Sequence, residues 1–125
     1  MTGSIVFIVS EDAQVRQSIK TLVDSAGLQV VVFPTLQALL DADEPESCGC
    51  LVFYPRDDML DDPKQQSMLA AACASRPGVL IIERGNVSTA VQALKAGITD
   101  VVQKPYRDKD LLERVVKTLE VRVPV

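Results

Sequence analysis

Three short stretches carry the side chains able to hold a ligand or a charge: Ser10-Glu11-Asp12, Tyr54 with Pro55-Arg56-Asp57-Asp58 behind it, and Lys104-Pro105-Tyr106. Carboxylates suit a cation, a lysine suits an anion, and a phenol with a pKa of about 10 stays a neutral donor near neutral pH. The 125 residues contain no histidine, so nucleophile schemes that need a histidine base are excluded. The three cysteines, Cys48, Cys50 and Cys73, are an odd number without zinc-ligand spacing and read as reduced thiols in or near the core. Neither G-x-x-x-x-G-K-S/T nor G-x-G-x-x-G occurs, which removes the usual phosphate cradles. Asp57, Asp58, Asp61 and Asp62 lack the Asp-x-Asp-x-Asp-Gly order of a calcium loop and read as a solvated, mobile loop.

The elements that position these residues are legible as five apolar runs, 4–9, 29–33, 50–54, 78–82 and 100–103, rich in Val, Ile, Leu and Phe. Such near-continuous runs are the pattern of parallel strands buried on both faces. Asp12 stands where an N-cap would precede a helix carrying Val15, Ile19, Leu22 and Val23, which Gly27 closes. Leu36, Leu39 and Leu40 mark a short helix to about residue 42, and 43–49 is a loop. The stretch 55–63, with its aspartates and two prolines, is a long loop; Met68, Leu69, Ala72 and Cys73 then mark a helix over 64–75. A loop over 83–86 leads to a helix over 87–96, with Val91 and Leu94 expected inward and Gly97 ending it. Asp108 is expected to cap a last helix to about residue 120, with Leu111, Leu112, Val115, Val116 and Leu119 as its core stripe.

Strands alternating with helices specify βαβ units and a parallel sheet covered on both faces. The expected fold is therefore α/β: a flavodoxin-like, doubly wound (βα)5 domain over 1–120 with strand order 2-1-3-4-5, and 121–125 as a tail or linker start. Ligands of such sheets bind at the carboxyl ends of the strands, where all three stretches fall. At 47% apolar the chain suits one packed domain, and its net charge of −4 disfavours a nucleic-acid surface. No run is long enough to span a membrane and the N-terminus lacks signal-peptide features, so a cytoplasmic protein is expected. With only 4% aromatics and no phosphate loop, a flavodoxin-type cofactor domain is disfavoured and no cofactor is expected.

Three segments, VFIVSED at residues 6–12, CLVFYPR at 50–56 and above all AVQALKAGITDVVQKPYRDKDLLERV at 90–115, resemble the receiver domain of two-component response regulators of the FixJ/NarL kind. The resemblance covers essentially the whole chain. It implies a signalling domain in which acids at the first and third strand ends hold Mg²⁺. The third-strand aspartate takes a phosphoryl group from a histidine kinase, which a Ser/Thr after the fourth strand and a Lys before Pro then contact. An aromatic after that Pro switches rotamer. Position by position, the acid pair falls on Ser10 and Glu11, the phosphoacceptor on Tyr54, the Ser/Thr on Ile82 and the small residue after it on Glu83; Lys104 and the aromatic Tyr106 remain.

Each departure removes a different part of phosphoryl transfer, so the expectation is a degenerate receiver that is not an enzyme and has no metal beyond a weak ligand in Glu11. Charge balance suggests that Glu11 and Lys104 pair, directly or through the Tyr54 hydroxyl. Arg56 and Arg16 read as surface residues, the latter in a salt bridge; Tyr106 rotates or is fixed. Two functions follow. One is an interaction module that binds a partner or a second copy through the face of the fourth helix, fifth strand and fifth helix, with Lys95, Arg107, Asp108, Lys109, Asp110 and Glu113 supplying both charge signs. The other is an Mg²⁺-dependent receiver phosphorylated on Asp57 or Asp58. A histidine kinase or a fused output domain is a candidate partner.

Overall fold

The computed structural model describes residues 5–42 and 49–120. In chain order it contains β1 (Ile5–Ser10), α1 (Ala13–Ser25), β2 (Gln29–Phe33), α2 (Leu36–Ala42), β3 (Gly49–Tyr54), α3 (Pro63–Ser75), β4 (Gly78–Ile82), α4 (Val87–Ala96), β5 (Asp100–Gln103) and α5 (Asp108–Glu120). The strands form one parallel sheet in the order β2-β1-β3-β4-β5. The expected fold and strand order are thus present. Ser4, the loop over 43–48 with Cys48, and the tail over 121–125 lie outside the described residues.

Alternation along the strands divides the core in two. Phe7, Val9, Leu51, Phe53, Leu80 and Ile82 face α2, α3 and α4 through Leu36, Leu39, Leu69, Ala72 and Ala93. Val6, Ile8, Cys50, Val52, Val79, Ile81 and Val102 face α1 and α5 through Ile19, Val23, Leu111 and Val115. Both faces are covered, which is why the strand sequences lack a polar side.

The helix ends follow local chemistry. Asp12 accepts the N–H groups of Gln14 and Val15 and caps α1. Gly97 sits at φ +115°, the left-handed turn that closes α4, and a Cβ there would lie 3.0 Å from Cys73 Cβ. Gly49 begins β3 rather than ending the preceding loop, because a Cβ at that position would collide with the Ile5 carbonyl of β1. Asp62 caps α3 and Pro63 opens it, one residue earlier than the spacing predicts, since a proline needs no N–H at the first turn. Asp108 is the first residue of α5 rather than its cap; Asp110 and Leu111 donate to the Arg107 carbonyl.

Three expectations are corrected. The stretch after β3 is an ordered connection: Met59–Asp61 forms a 3-10 turn whose Met59 and Leu60 are buried in the core. Each such burial is worth about 1.5–3 kcal/mol, enough to hold the segment down despite its four aspartates. Val91 and Leu94 point outward, at 43% and 52% exposure, with Val87 at 66%. The inward face of α4 is instead Thr89, Ala90, Ala93 and Ala96, whose short side chains let the helix sit close to the sheet. In α5 Val116 is exposed and Thr118 buried, because residues 111, 115 and 118 share one helical face and residue 116 lies a quarter-turn or more away.

Candidate functional site

Register fixes the site. Ser10 lies beside Tyr54 at the ends of β1 and β3, and Ile82 beside Gln103 at the ends of β4 and β5. The Lys104 N–H donates to the Ile82 carbonyl at 2.8 Å, so Lys104 emerges next to the residue that follows β4, Glu83. The Lys104–Pro105 peptide is cis.

Tyr54 is the centre of a three-residue cluster. Its hydroxyl donates to Glu83 Oε2 and accepts from Lys104 Nζ at 3.3 Å. Lys104 Nζ also lies 3.6 Å from Glu83 Oε2 and 4.8 Å from the centre of the Tyr54 ring. Burial and the bond to Glu83 raise the Tyr54 pKa, with Lys104 opposing. The bond from Tyr54, helped by Lys104, lowers that of Glu83 against the effect of burial. For Lys104 burial pulls the pKa down, but Tyr54 and Glu83 together outweigh it and the net direction is up. All three shifts favour one state: neutral phenol, carboxylate, ammonium. The cluster is close to neutral overall and needs no cation to balance it.

The expected pairing of Glu11 with Lys104 is therefore corrected. β3 and β4 stand between β1 and β5, a separation of about 14 Å at roughly 4.8 Å per strand. Glu83, on the loop from the neighbouring strand, reaches Lys104 instead. Glu11 forms an ion pair with Arg56 across the β1–β3 junction, and Arg56 is a surface side chain as expected. Both are substantially exposed, and such pairs contribute on the order of 0–1 kcal/mol. Arg16 makes no carboxylate pair among the described contacts; its guanidinium donates to the Ser10 carbonyl at 2.6 Å. Ser10 itself is buried and its hydroxyl accepts the Asp12 N–H at 3.1 Å.

A divalent cation does not fit these residues. Ser10 Oγ is committed to the backbone, Glu11 to Arg56, Asp12 to the α1 cap, and Tyr54 brings no charge. Among the described residues no three His, Cys, Asp or Glu side chains converge. Ile82 is not part of the cluster: it is buried in the core on the α3 and α4 side, whereas Tyr54 packs on the α1 and α5 side. Tyr106 is half-buried against that same side and has its pKa raised chiefly by burial. With Tyr54, Lys104, Asp12 and Ser18 it lines a cavity of about 380 Å³.

Asp57 and Asp58 are exposed beyond the strand end. The Asp57 carbonyl accepts from the Thr89 hydroxyl at 3.0 Å and from Asn86 Nδ2 at 3.5 Å. Asn86 in turn accepts the Thr89 N–H and caps α4, so the β3 and β4 loops meet at the start of that helix. Below, Gln66 Nε2 donates to the Leu60 carbonyl at 2.6 Å and to Gln92 Oε1 at 2.9 Å, and Gln92 donates to Asp61 at 3.2 Å. Sequence reasoning missed Thr89, Gln66 and Gln92; Asn86 before a helical run was the visible signal for the first of these contacts. Lys95, Arg107, Lys109 and Asp110 are all exposed on α4 and around the start of α5.

No family model matches the chain. It is 35% identical over 119 residues to nodulation protein W of Bradyrhizobium diazoefficiens, covering 95% of this chain and 52% of that protein. It is 32% identical over 123 residues to the transcriptional regulatory protein FixJ of the same organism, covering 98% and 60% respectively. The chain thus spans about half the length of the curated relatives it matches. Among solved structures, the crystal structure of FixJ-N superposes with a TM-score of 0.83 at 27% identity over 100% of both chains.

Proposed function

Because the chain is a receiver domain of the two-component response-regulator family, we propose that it is a degenerate member working without phosphorylation, as a cytoplasmic protein-interaction module rather than an enzyme. The observation that carries this reading is Tyr54 at the acceptor position, with its hydroxyl engaged by both Glu83 and Lys104. A phenol held neutral by burial and by a carboxylate is a poor nucleophile for a phosphoryl group, and the side chains around it do not suit a divalent cation.

The output surface in this reading is α4-β5-α5. Val87, Val91 and Leu94 make an exposed apolar stripe at i, i+4 and i+7 on α4, next to Lys95. Arg107, Lys109 and Asp110 add both signs of charge around the start of α5. An apolar stripe rimmed by mixed charge suits a second copy of the chain or a protein partner. The greater length of the curated relatives, transcriptional regulatory proteins among them, supports a fused output domain as one such partner. A histidine kinase is the other. Nucleic acid and membrane are not partners of this domain in this reading; the net charge of −4 is unfavourable to both.

The test is sedimentation equilibrium and partner capture in the absence of phosphodonor and Mg²⁺, alongside intact mass after acetyl phosphate with Mg²⁺. Association without phosphorylation and an unchanged mass are expected. A stable gain of one phosphoryl mass would transfer the function to an acid such as Asp57 or Asp58.

A further inference from the structure

The cavity of about 380 Å³ lies between α1 and the strand ends and loop that carry Tyr54, Ile81 and Tyr106, and its size suits a small molecule. Its apolar walls are the two tyrosine rings, Val15 and Ile81. Both charged groups in the wall are already met. Asp12 Oδ1 accepts the N–H groups of Gln14 and Val15 at the positive end of α1, and Lys104 donates to Tyr54 and lies 3.6 Å from Glu83. A charged ligand therefore finds no counter-charge of its own, and the Tyr54 hydroxyl is committed to Glu83 and Lys104. What the cavity offers is neutral. Among the described residues, the Gln14 carboxamide and the Ser18 and Tyr106 hydroxyls have no hydrogen-bond partner in the protein.

We propose that this cavity binds a neutral, planar heterocycle of the nucleobase type, taken as a nucleoside and not as a nucleotide. A carboxamide presents a carbonyl beside an NH2 group, the complement of the adjacent donor and acceptor on a base edge, and a glutamine pairs with adenine in this way. The faces of aromatic side chains such as Tyr54 and Tyr106 stack on bases. A second groove shares Gln14 and Ser18 and also includes Gln17, Thr21 and Asp108. Its amide, hydroxyl and carboxylate groups suit the hydroxyls of a ribose. Neither a phosphate cradle nor an unpaired cation lines the cavity, which restricts the ligand to the nucleoside. The hydrogen bonds of this site come from α1 and Tyr106, so it makes no use of the Tyr54 hydroxyl or the Lys104 ammonium.

Equilibrium dialysis of the chain against adenosine is expected to show saturable binding at a single site, and adenosine should raise the melting temperature by linkage. Gln14→Ala, at an exposed helical position that favours alanine, should weaken binding about tenfold or more while urea unfolding shows the fold intact. Ser18→Leu, on the exposed face shared by cavity and groove, should fill the space and abolish binding. Adenosine monophosphate should bind no more tightly than adenosine, and inorganic phosphate should not compete. Absence of saturable binding at millimolar adenosine, or binding unchanged in both variants, would overturn the proposal. So would tighter, salt-sensitive binding of the monophosphate, which would mean recognition of charge. The outcome is separable from the interaction reading. A chain that binds adenosine but neither associates nor captures a partner keeps the nucleoside site and loses the docking function; an associating chain that does not bind adenosine does the reverse.

Discussion

The hydroxyl of Tyr54, at the end of β3, donates to the carboxylate of Glu83, on the loop leaving β4. In the degenerate-receiver reading, two positions that would each obstruct phosphoryl chemistry satisfy one another, and Lys104 completes the group. The cluster links two of the departures from the receiver pattern, Tyr54 and Glu83: without Glu83 the Tyr54 hydroxyl would lose its acceptor.

Tyr54→Asp is expected not to restore phosphorylation at the rate of an ordinary receiver. The new carboxylate would face Glu83, an acid where a small residue belongs, while Ser10 remains committed to the Asp12 N–H. Labelling by acetyl phosphate with Mg²⁺, followed by intact mass, should stay slow in the single variant. It should rise when Ser10→Asp, Ile82→Thr and Glu83→Ala are added. Rapid labelling of the single variant would contradict this account of the site.

Millimolar Mg²⁺ should leave the melting temperature nearly unchanged. An ion that binds only the folded state stabilises it by linkage, and the Ser10, Glu11 and Tyr54 positions offer one carboxylate, already paired with Arg56. A rise of several degrees that disappears in Glu11→Ala would refute the absence of a cation site.

Titration of Tyr54 should be displaced upward. Its folded pKa is raised by burial first and by Glu83 second, so its contribution to stability is present below the unfolded value of about 10 and is lost as pH rises through the folded value. Glu83 is the converse. Its folded pKa is lowered, so its contribution is present above the unfolded carboxylate value and is lost as pH falls through the folded one. In a Tyr106→Phe background, ultraviolet absorbance should show Tyr54 ionising above free tyrosine. Glu83→Gln should bring it down only part of the way, because burial remains.

The Cys50 and Cys73 thiols should be inert in the native protein. Burial pushes Cys50 up to about 12 and Cys73 up to about 11, so neither supplies thiolate near neutral pH. A disulfide reagent is expected to leave both unmodified until denaturant is added, as peptide mapping would show.

Leu60→Ala should destabilise the fold by about 2–5 kcal/mol, the range for truncating a large side chain in a packed core. Val91→Glu, on the exposed stripe, should change stability by no more than about 0.5 kcal/mol while weakening association. Urea unfolding and sedimentation read the two effects separately. A mobile connection after β3 would instead make Leu60→Ala nearly neutral.

The contrast between those two residues shows what the sequence could convey. The strands were legible because a run such as Gly78–Ile82 is apolar on both faces, and helix limits were legible where Asp12 or Gly97 supply the cap chemistry. Met59 and Leu60 were hidden because two apolar residues between aspartates and prolines form no period, and only the space beneath β3 and α3 shows that they are enclosed. α4 carries two competing stripes, one of alanines and one of Val87, Val91 and Leu94; hydrophobicity alone favours the second, while close approach to the sheet favours the first. The pairing of Lys104 was misassigned because Glu11 was matched to it by charge, whereas Glu83 is its neighbour by strand order.

The alanine underside of α4 has a mechanical consequence. Large side chains on a helix act as detents, locking it against sliding because each must climb out of its own hole. Ala90, Ala93 and Ala96 supply almost none, so the lengthwise seating of α4 is set by directional bonds: Thr89 to the Asp57 carbonyl at one end, and Gln92 to Gln66 and Asp61 at the middle. A helix keyed in this way shifts by exchanging a few polar contacts, at a cost well below that of repacking a core. The surface that carries Val87, Val91 and Leu94 is thus mounted on a bearing of three alanines.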